Sequence, residues 1–369
     1  MSAIAFVVNG TPHSAMGQRA QAFAARLAPE FAISLHHREG GRASAFWHHL
    51  AGLCRARPRA IYVFDLAFPG VMAAMAYRRA TGCPVVIETG DAMAELLWST
   101  GRVGRVGRLL LSRYEQLALR TANGVVVRGT YHKQHLEAHG IRVTAVIQDG
   151  VDVQHFRPLD VPDLRQELRL DTGIVIGVLG SLHWSPRLCW TTGMELVEAL
   201  AALPLERILG LVVGTGSGLP FLRKAAERLK VLNRIRFVEG WKRHDELPRY
   251  INCMDVCLST QTNDLVGWVR TTGKLPLFLA CGRFILATRV GEAARVLPEE
   301  MLLEYREGFD PTYPKRLASR IERLVQEPDL LHLGKQSRVV AEAEFDFAVL
   351  VPRVATVLRL AMESTAFRR

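Results

Sequence analysis

Short apolar runs alternate with longer segments of helical periodicity along this chain, and the alternation starts again at Ile174. Short buried strands separated by amphipathic helices are typical of βα units, which build a mostly parallel sheet. One run of such units before Ile174 and another after it predict two doubly wound α/β domains. Two sheets of this kind in one chain also imply a central cleft where ligands could bind.

The candidate strands are the runs richest in aliphatic residues. In the first half they are Ile4–Asn9, Ile61–Asp65, Pro84–Glu88, Gly124–Val127 and Val143–Ile147. In the second half they are Ile174–Gly180, Ile208–Gly214, Ile235–Val238, Asp255–Ser259 and Phe284–Ala287, with no sixth strand expected. Helices of the second half are expected around residues 191–202, 218–231, 245–252 and 315–326.

The length of 369 residues exceeds what one hydrophobic core usually supports, so composition and length also favour two globular domains. The stretch VIQDGVDVQHFRP contains a tight Asp149-Gly150 turn, and polar residues follow it. We therefore expect a domain of residues 1–158, a second of residues 159–340, and a final helical stretch, 341–369, that crosses back onto the first domain.

A candidate ligand site lies in the stretch Thr262–Thr288, which reads as strand exit, polar loop, short helix and strand. The loop brings the hydroxyls of Thr271 and Thr272, the bare backbone of Gly273 and the charge of Lys274 to a helix start. Free N–H groups and the positive end of the helix dipole favour a phosphate there. The alternative is an ordinary threonine-capped helix.

Three other turns could approach a phosphate or base with bare backbone. Gly17 lies in the first turn of the helix that Ser14 can cap, Ser181 and Arg187 follow the strand beginning at Ile174, and Gly214 and Gly216 follow the next strand. The first of these turns lacks the G-x-G-x-x-G spacing, so a nicotinamide or flavin cofactor is not indicated.

Two carboxylates, Glu88 and Asp91, stand at the carboxyl end of the buried strand PVVIE. Ligands of open α/β sheets collect at that end, which makes Asp91 a candidate for contact with a substrate. An equally good alternative is that Asp91 caps the helix that follows.

The first half is strongly basic: residues 1–158 contain 18 Lys and Arg against 10 Asp and Glu. Arg102, Arg105 and Arg108 stand at every third position, directly before three leucines. This pattern suits docking on an anionic membrane, although a solvated charged face is the commoner meaning of such spacing. Nucleic acid is not expected as a partner, because no aromatic interleaving or known motif accompanies the charge.

The six cysteines are scattered among apolar neighbours and show no zinc spacing, which is expected of a reduced cytoplasmic protein. No run approaches about 20 apolar residues, and MSAIAFVVNG reads as a first strand rather than a signal peptide. No Asp-x-Asp pair is arranged for a metal, so no metal and no cofactor are expected.

Several motifs resemble those of the family 4 (group 1) retaining glycosyltransferases of the GT-B fold, and the resemblance covers nearly the whole chain. IQDGVDVQHFRP is similar to the family's NGVD-x-x-x-F-x-P joint, and LVVGTGSGLPFLRKAAERL to its G-x-G strand, loop and helix. RIRFVEGWKRHDELPRYINCMDVCLST resembles its F-x-G…EL-x-x-Y-x-x-x-D-V stretch, and KLPLFLACGRFILAT its K-L-x-E-Y-x-A-x-G-x-P-V-x-A-T segment.

The resemblance implies two Rossmann-like domains facing a central cleft, a UDP- or GDP-sugar donor and a lipid-linked or glycan acceptor. It implies retention of configuration, no essential metal, and a place in polysaccharide or glycoconjugate biosynthesis. Arg187 and Lys274 would neutralise the leaving diphosphate, and Asp91 would lie nearest the acceptor. Trp241 matches a position near the nucleotide base, although core packing explains a lone tryptophan equally well.

Two departures from the family's pattern stand out. The acidic residue that typically holds the donor ribose falls on Leu277, and its partner eight residues earlier falls on Val269; the nearest carboxylate of the loop is Asp264. The first member of the family's basic pair falls on Ser181. These substitutions motivate an alternative function, a non-catalytic GT-B protein that binds a nucleotide, lipid or partner glycosyltransferase. On either hypothesis the protein is expected in the cytoplasm, peripheral on the inner face of the cell membrane.

Overall fold

The computed structural model describes residues 2–203, 205–240, 244–306 and 308–366. The chain forms two compact units. The first unit consists of Met1–Gly150, Val269–Thr271 and Phe347–Arg369, and the second of Val151–Trp268 and Thr272–Asp346.

The first unit is built on a parallel six-stranded sheet of order β2-β1-β3-β4-β5-β6. Its strands are β1 (Ser2–Val8), β2 (Phe31–His37), β3 (Ala60–Phe64), β4 (Val85–Thr89), β5 (Gly124–Val127) and β6 (Ala145–Val146). All five strands expected in this half are confirmed. The sequence did not indicate β2, an edge strand in which only Phe31 is fully buried and which ends in His36 and His37.

Helices cover both faces of this sheet. They are α1 (Ala15–Leu27), α2 (Arg42–Ala56), α3 (Phe68–Thr81), α4 (Met93–Ser99), α5 (Arg105–Thr121), α6 (Thr130–Ala138) and, from the end of the chain, α16 (Phe347–Ala366). One apolar core joins α1 and α16 to the sheet through residues such as Phe23 and Leu350. A second core on the other face joins α2, α3 and α5 through Leu53, Val71 and Leu119.

The second unit contains another parallel six-stranded sheet, of order β12-β11-β10-β7-β8-β9. Its strands are β7 (Ile174–Ser181), β8 (Ile208–Thr215), β9 (Ile235–Glu239), β10 (Val256–Ser259), β11 (Phe284–Thr288) and β12 (Leu302–Leu303). The five strands expected here are confirmed, whereas the expectation of no sixth strand is wrong. At two residues, β12 is too short for its sequence pattern to be recognised.

The helices of the second unit surround one large core. They are α7 (Pro162–Glu167), α8 (Met194–Ala202), α9 (Leu219–Arg228), α10 (Leu247–Asn252), α11 (Leu265–Val269), α12 (Lys274–Ala280), α13 (Gly291–Val296), α14 (Tyr313–Gln326) and α15 (His332–Val340). None of the helices in the described ranges combines the length and the apolar character needed to cross a membrane.

The junctions between the units fall at Gly150 and Phe347, whereas the sequence placed them after residues 158 and 340. Phe156 is fully buried in the core of the second unit, and the Arg338 guanidinium donates a hydrogen bond of 3.0 Å to its carbonyl. Phe345 also packs in that core, whereas Phe347 packs in the first unit. Apolar contacts therefore set both junctions, and the polar run after Pro158 does not.

Candidate functional site

The glycine turns after β7 and β8 pack directly against each other. Gly214 and Gly216 adopt φ values of 151° and 155°, which favour glycine. A Cβ on Gly214 would lie 1.9 Å from the carbonyl oxygen of Gly180, and one on Gly216 would lie 2.3 Å from that of Leu182. Close backbone packing between the two loops thus suffices to explain both glycines, whatever ligand they also contact.

Gly17 has a similar explanation within the first unit. The Ser14 hydroxyl accepts a hydrogen bond of 3.1 Å from the Gly17 N–H, which confirms Ser14 as the N-cap of α1. A Cβ on Gly17 would lie 2.1 Å from the carbonyl oxygen of Thr11, so the preceding loop already occupies that space.

The end of β7 and the loop after it bring Ser181 and Arg187 to the surface. Ser181 is exposed at the strand end, and Arg187 is exposed at the tip of a small turn. That turn is closed by a hydrogen bond of 2.8 Å from the Ser185 N–H to the Trp190 carbonyl. In the same loop, Trp184 stacks on Phe221 with ring centroids 3.8 Å apart and planes 7° apart. This flat pair holds the loop against the start of α9.

Helix α12 begins without a side-chain cap, so the alternative of an ordinary threonine cap is wrong. Gly273 is its N-cap residue, and the Leu275 N–H donates to the Thr272 carbonyl at 3.0 Å. Lys274, the first residue of the helix, is half-buried. Gly282 follows the helix with φ of 62°, as expected of a residue that ends it.

Lys274 interacts electrostatically with Glu195, a buried carboxylate that the sequence did not indicate. Glu195, in the first turn of α8, is 1% exposed and accepts a hydrogen bond of 2.9 Å from the Gly193 N–H. Burial raises the pKa of Glu195, whereas the charge of Lys274 lowers it. Burial dominates, so the pKa of Glu195 lies above its usual value despite the charge of Lys274.

Asp264 and Leu277 both have structural partners. The Asp264 carboxylate accepts a hydrogen bond of 2.9 Å from the Gly267 N–H, which places it at the start of α11. Leu277 is half-buried and packs against the core of the second unit. The side chain at the position of the family's acidic residue thus contributes to packing.

A buried ionic network lies at the carboxyl end of the sheet in the first unit. Glu88 is fully buried and accepts hydrogen bonds from Arg19 Nε at 2.9 Å, Arg128 Nε at 3.0 Å and the Tyr62 hydroxyl at 2.7 Å. Burial alone would raise the pKa of Glu88, but the two guanidiniums hold it below its usual value. Glu88 is thus a charged structural residue with no surface for a substrate.

Asp149 and Asp91 extend this network toward the segment Val269–Thr271. The Thr271 hydroxyl donates a hydrogen bond of 2.7 Å to Asp149 Oδ2. The Arg270 Nε lies 3.4 Å from Asp91 Oδ1, an ionic contact rather than a well-aligned hydrogen bond. Two residues predicted to bind ligands, Asp91 and Thr271, therefore both lie in the first unit.

Asp91 does not cap α4, so the alternative prediction of a helix cap at Asp91 is wrong. The backbone N–H groups of Met93 and Ala94 donate instead to the carboxylate of Glu115, at 2.6 and 3.2 Å. Burial raises the pKa of Glu115 to about 7. The Asp91 side chain, 31% exposed, remains accessible to a substrate.

Arg102 precedes α5, whereas Arg105 and Arg108 lie in its first turn, so the expectation that all three come before the helix is wrong. All three arginines are exposed, and Arg108 also pairs with Glu95 at 2.7 Å and lies over the Trp98 ring. Helix α5 exposes large apolar side chains at helical spacing: Val106 72%, Leu109 57%, Leu110 65% and Leu117 65%. An exposed Arg113 lies among them. This exposed apolar and basic stripe is called the α5 face below.

The sequence missed Arg19, Arg128, Asp149 and Glu195. A usable signal existed for Arg19, since it occupies the buried stripe of α1 together with Ala20 and Phe23. Trp241 lies outside the described residues. Within the described ranges, no group of three or more His, Cys, Asp or Glu side chains is arranged to hold a metal ion.

No protein-family profile matches the chain, and no curated protein matches it. Solved structures do match along nearly the whole length. HepE of Anabaena, in complex with UDP and glucose, is 18% identical with a TM-score of 0.76 over 97% of this chain and 100% of that one. Sucrose-phosphate synthase of Thermosynechococcus elongatus is 18% identical, with a TM-score of 0.77 over 99% of this chain and 100% of that one.

WaaG, a glycosyltransferase involved in lipopolysaccharide biosynthesis, is 16% identical with a TM-score of 0.69 over 96% of this chain and 99% of that one. At these identities the likeness shows the fold. The chain has the GT-B fold, as the sequence predicted, with one Rossmann-like sheet in each unit.

Proposed function

We propose that the protein is a glycosyltransferase that moves a sugar from a UDP- or GDP-sugar to a lipid-linked or glycan acceptor, with retention of configuration. The observation that carries the proposal is the GT-B fold, together with the turns after β7, β8 and β10 at one end of the second sheet. HepE, with the same fold, was solved in complex with UDP and in complex with UDP-glucose. The donor would bind at this end of the second unit.

Transfer requires that the charge developing on the leaving diphosphate be neutralised. Lys274 supplies a cation at the start of α12, Arg187 supplies another from the exposed turn, and the backbone N–H groups of Thr271–Gly273 add donors. Cations of this kind take over the role of a metal, so we propose a reaction without metal or cofactor. Asp91, accessible in the first unit, is our candidate for contact with the acceptor hydroxyl.

The α5 face favours a lipid-linked acceptor. Its exposed leucines and Arg113, with the exposed Arg102 and Arg105 at the start of the helix, have the composition of a surface that lies in the headgroup region of an anionic bilayer. We propose that the protein is cytoplasmic and peripheral on the inner face of the cell membrane. It would then act in polysaccharide or glycoconjugate biosynthesis.

Calorimetry with UDP and GDP tests the donor assignment. The wild-type protein should bind one of the two nucleotides, and Lys274→Ala and Arg187→Ala should each weaken that affinity by roughly tenfold, because each removes a charge-assisted contact. Lys224→Ala, on the exposed face of α9, is the matched control. Equal affinity in the wild type and both variants would disprove the assignment of the cradle.

A second candidate is a non-catalytic GT-B protein that binds a nucleotide, lipid or partner glycosyltransferase. Two observations favour it: Leu277 packs on the core, and Ser181 presents a hydroxyl in place of the family's cation. Nucleotide binding without any hydrolysis or transfer of UDP-sugars and GDP-sugars would support this candidate over the first.

A further inference from the structure

We infer that Asp149 is a positioning residue that fixes the loop leading into α12 through its hydrogen bond with Thr271. The inference rests on the proposed function in one respect: the loop matters for the reaction because Thr272, Gly273 and Lys274 form the proposed phosphate cradle. The contact itself belongs to the first unit and stands on the geometry of that unit.

The network around Glu88 explains why a carboxylate is needed at position 149. Arg19 and Arg128 are each 6% exposed, and one carboxylate between two guanidiniums leaves a net positive charge in a buried place. Burying an uncompensated charge is costly. Asp149 Oδ1 lies 3.9 Å from Arg19 Nη1 and 3.7 Å from Arg128 Nη1, and it adds a second carboxylate that contacts both guanidiniums.

The other carboxylate oxygen of Asp149, Oδ2, contacts Thr271. At 3.7 and 3.9 Å the arginine contacts are ionic and too long for hydrogen bonds, so they leave the hydrogen-bonding capacity of Asp149 largely unused. The Thr271 hydroxyl uses it, by donating to Oδ2 at 2.7 Å. A hydrogen bond to a charged acceptor is stronger than one between neutral groups. The buried arginines thus orient the Asp149 carboxylate, and this carboxylate orients the Thr271 side chain.

One further contact joins the same three-residue segment to the first unit. Arg270 Nε lies 3.4 Å from Asp91 Oδ1, and Val269, which precedes Arg270, is fully buried. Thr272, Gly273 and Lys274 follow Thr271 directly in the chain. Because the Thr271 proton is already given to Asp149, its side chain contributes to nucleotide binding indirectly, by setting where the next three residues begin.

Three variants separate this role from the alternatives. Thr271→Val removes the hydroxyl and keeps the shape, Thr271→Ser keeps the hydroxyl, and Asp149→Asn removes the charge that makes the hydrogen bond strong. Asp152→Asn is the matched control: its carboxylate accepts hydrogen bonds from the N–H groups of Gln154 and His155, which an asparagine oxygen can also accept. Asp149→Asn also disturbs the arginines, so Thr271→Val is the more selective variant.

The first readout is the affinity of the full-length protein for UDP and GDP. Thr271→Val and Asp149→Asn should each weaken it by roughly tenfold, and the double variant should be no weaker than the worse single one, because both remove one contact. Thr271→Ser and Asp152→Asn should bind like the wild type. Additive losses in the double variant, or a loss in Thr271→Val that Asp149→Asn does not reproduce, would show that Thr271 contacts the nucleotide directly and would overturn the inference.

The second readout is amide hydrogen exchange of residues 270–275 in the protein without nucleotide. Thr271→Val and Asp149→Asn should both accelerate it, whereas Thr271→Ser and Asp152→Asn should not. Unchanged exchange in both would refute the positioning role. This readout decides the inference even if the wild type binds neither UDP nor GDP, a result that would overturn the proposed donor instead.

Discussion

Leu277 lies where the family that this chain resembles has an acidic residue that typically holds the donor ribose. Because Leu277 is half-buried, a carboxylate placed there would affect both nucleotide affinity and stability. Leu277→Glu restores a carboxylate that could accept hydrogen bonds from two ribose hydroxyls. If the donor binds in the expected pose, nucleotide affinity should rise by roughly tenfold or more, since hydrogen bonds to a charged group contribute about 1.5–3 kcal/mol. A thermal melt with and without millimolar UDP or GDP measures the gain.

Leu277→Gln is the control, because it adds polar atoms without the charge. If Leu277→Glu lowers the melting temperature and neither nucleotide restores it, the side chain serves the core only, and the non-catalytic candidate is favoured. If neither nucleotide shifts the melt of any form, including the wild type, the UDP or GDP donor is wrong.

At the scale of single residues, the sequence predicts which residues end strands and begin helices, but it does not predict their partners. Glu88 and Asp91 are three positions apart and look alike in sequence, yet one is fully buried between two arginines and the other is accessible. The difference depends on Arg19 and Arg128, which lie 69 and 40 positions from Glu88. Contacts over such distances leave no local pattern.

At the scale of elements, β2 and α2 form a histidine cluster that predicts acid sensitivity. His49 is fully buried, and its pKa is lowered to about 4. Burial is the largest cause, and the charged or titratable neighbours add to it: His48, His36, His37 and Arg38. A carboxylate, Glu39, lies 3.6 Å from His48. The folded state therefore favours the neutral form of His49.

Because the pKa of His49 is lower in the folded state, the free energy of unfolding should decrease as the pH falls. The unfolded chain binds this proton near pH 6.5 and the folded chain only near pH 4, so the contribution of His49 is fully present above pH 6.5 and is lost between those values. We expect a loss on the order of 2 kcal/mol at pH 5 relative to neutral pH. Urea denaturation across this range measures it. His49→Leu should flatten the slope, whereas the exposed His13→Gln should leave it unchanged; a slope that His49→Leu leaves intact would contradict the assignment.

The α5 face gives the second prediction at this scale. Changing Arg102, Arg105 and Arg113 together to Glu should abolish flotation with anionic liposomes at low salt, since each cation contributes on the order of 1 kcal/mol near such a surface. Arg108 is left unchanged because it already pairs with Glu95. Charge reversal of the exposed Arg79 and Arg142 is the control, and equal flotation of both variants would leave the α5 face without a membrane role.

Across the whole chain, the alternation of strands and helices was sufficient to predict two doubly wound α/β domains, because buried parallel strands are continuous apolar runs. The resemblance of the motifs to those of the family 4 glycosyltransferases was needed to predict the GT-B fold. Of the twelve strands in the described ranges, ten could be recognised from their apolar runs. The exceptions are the edge strand β2, in which only Phe31 is fully buried, and the two-residue β12. The junctions between the two units could not be predicted from the sequence. Phe345 and Phe347 differ only in the core in which each packs, that of the second unit and that of the first.

Helix α16 (Phe347–Ala366) completes one of the two apolar cores of the first unit. Leu350, Val354 and Leu358 are at most 1% exposed and pack in the same core as Phe6 and Phe23. Leu350→Ala should cost about 2–5 kcal/mol, because it removes a large buried side chain and leaves a cavity. Amide exchange should accelerate in β1, β3 and β4 and remain slow in β7 and β8. Leu317→Ala, equally buried in α14 of the second unit, should give the reverse pattern. Faster exchange in β7 and β8 with Leu350→Ala would show that α16 does not stabilise the first unit selectively.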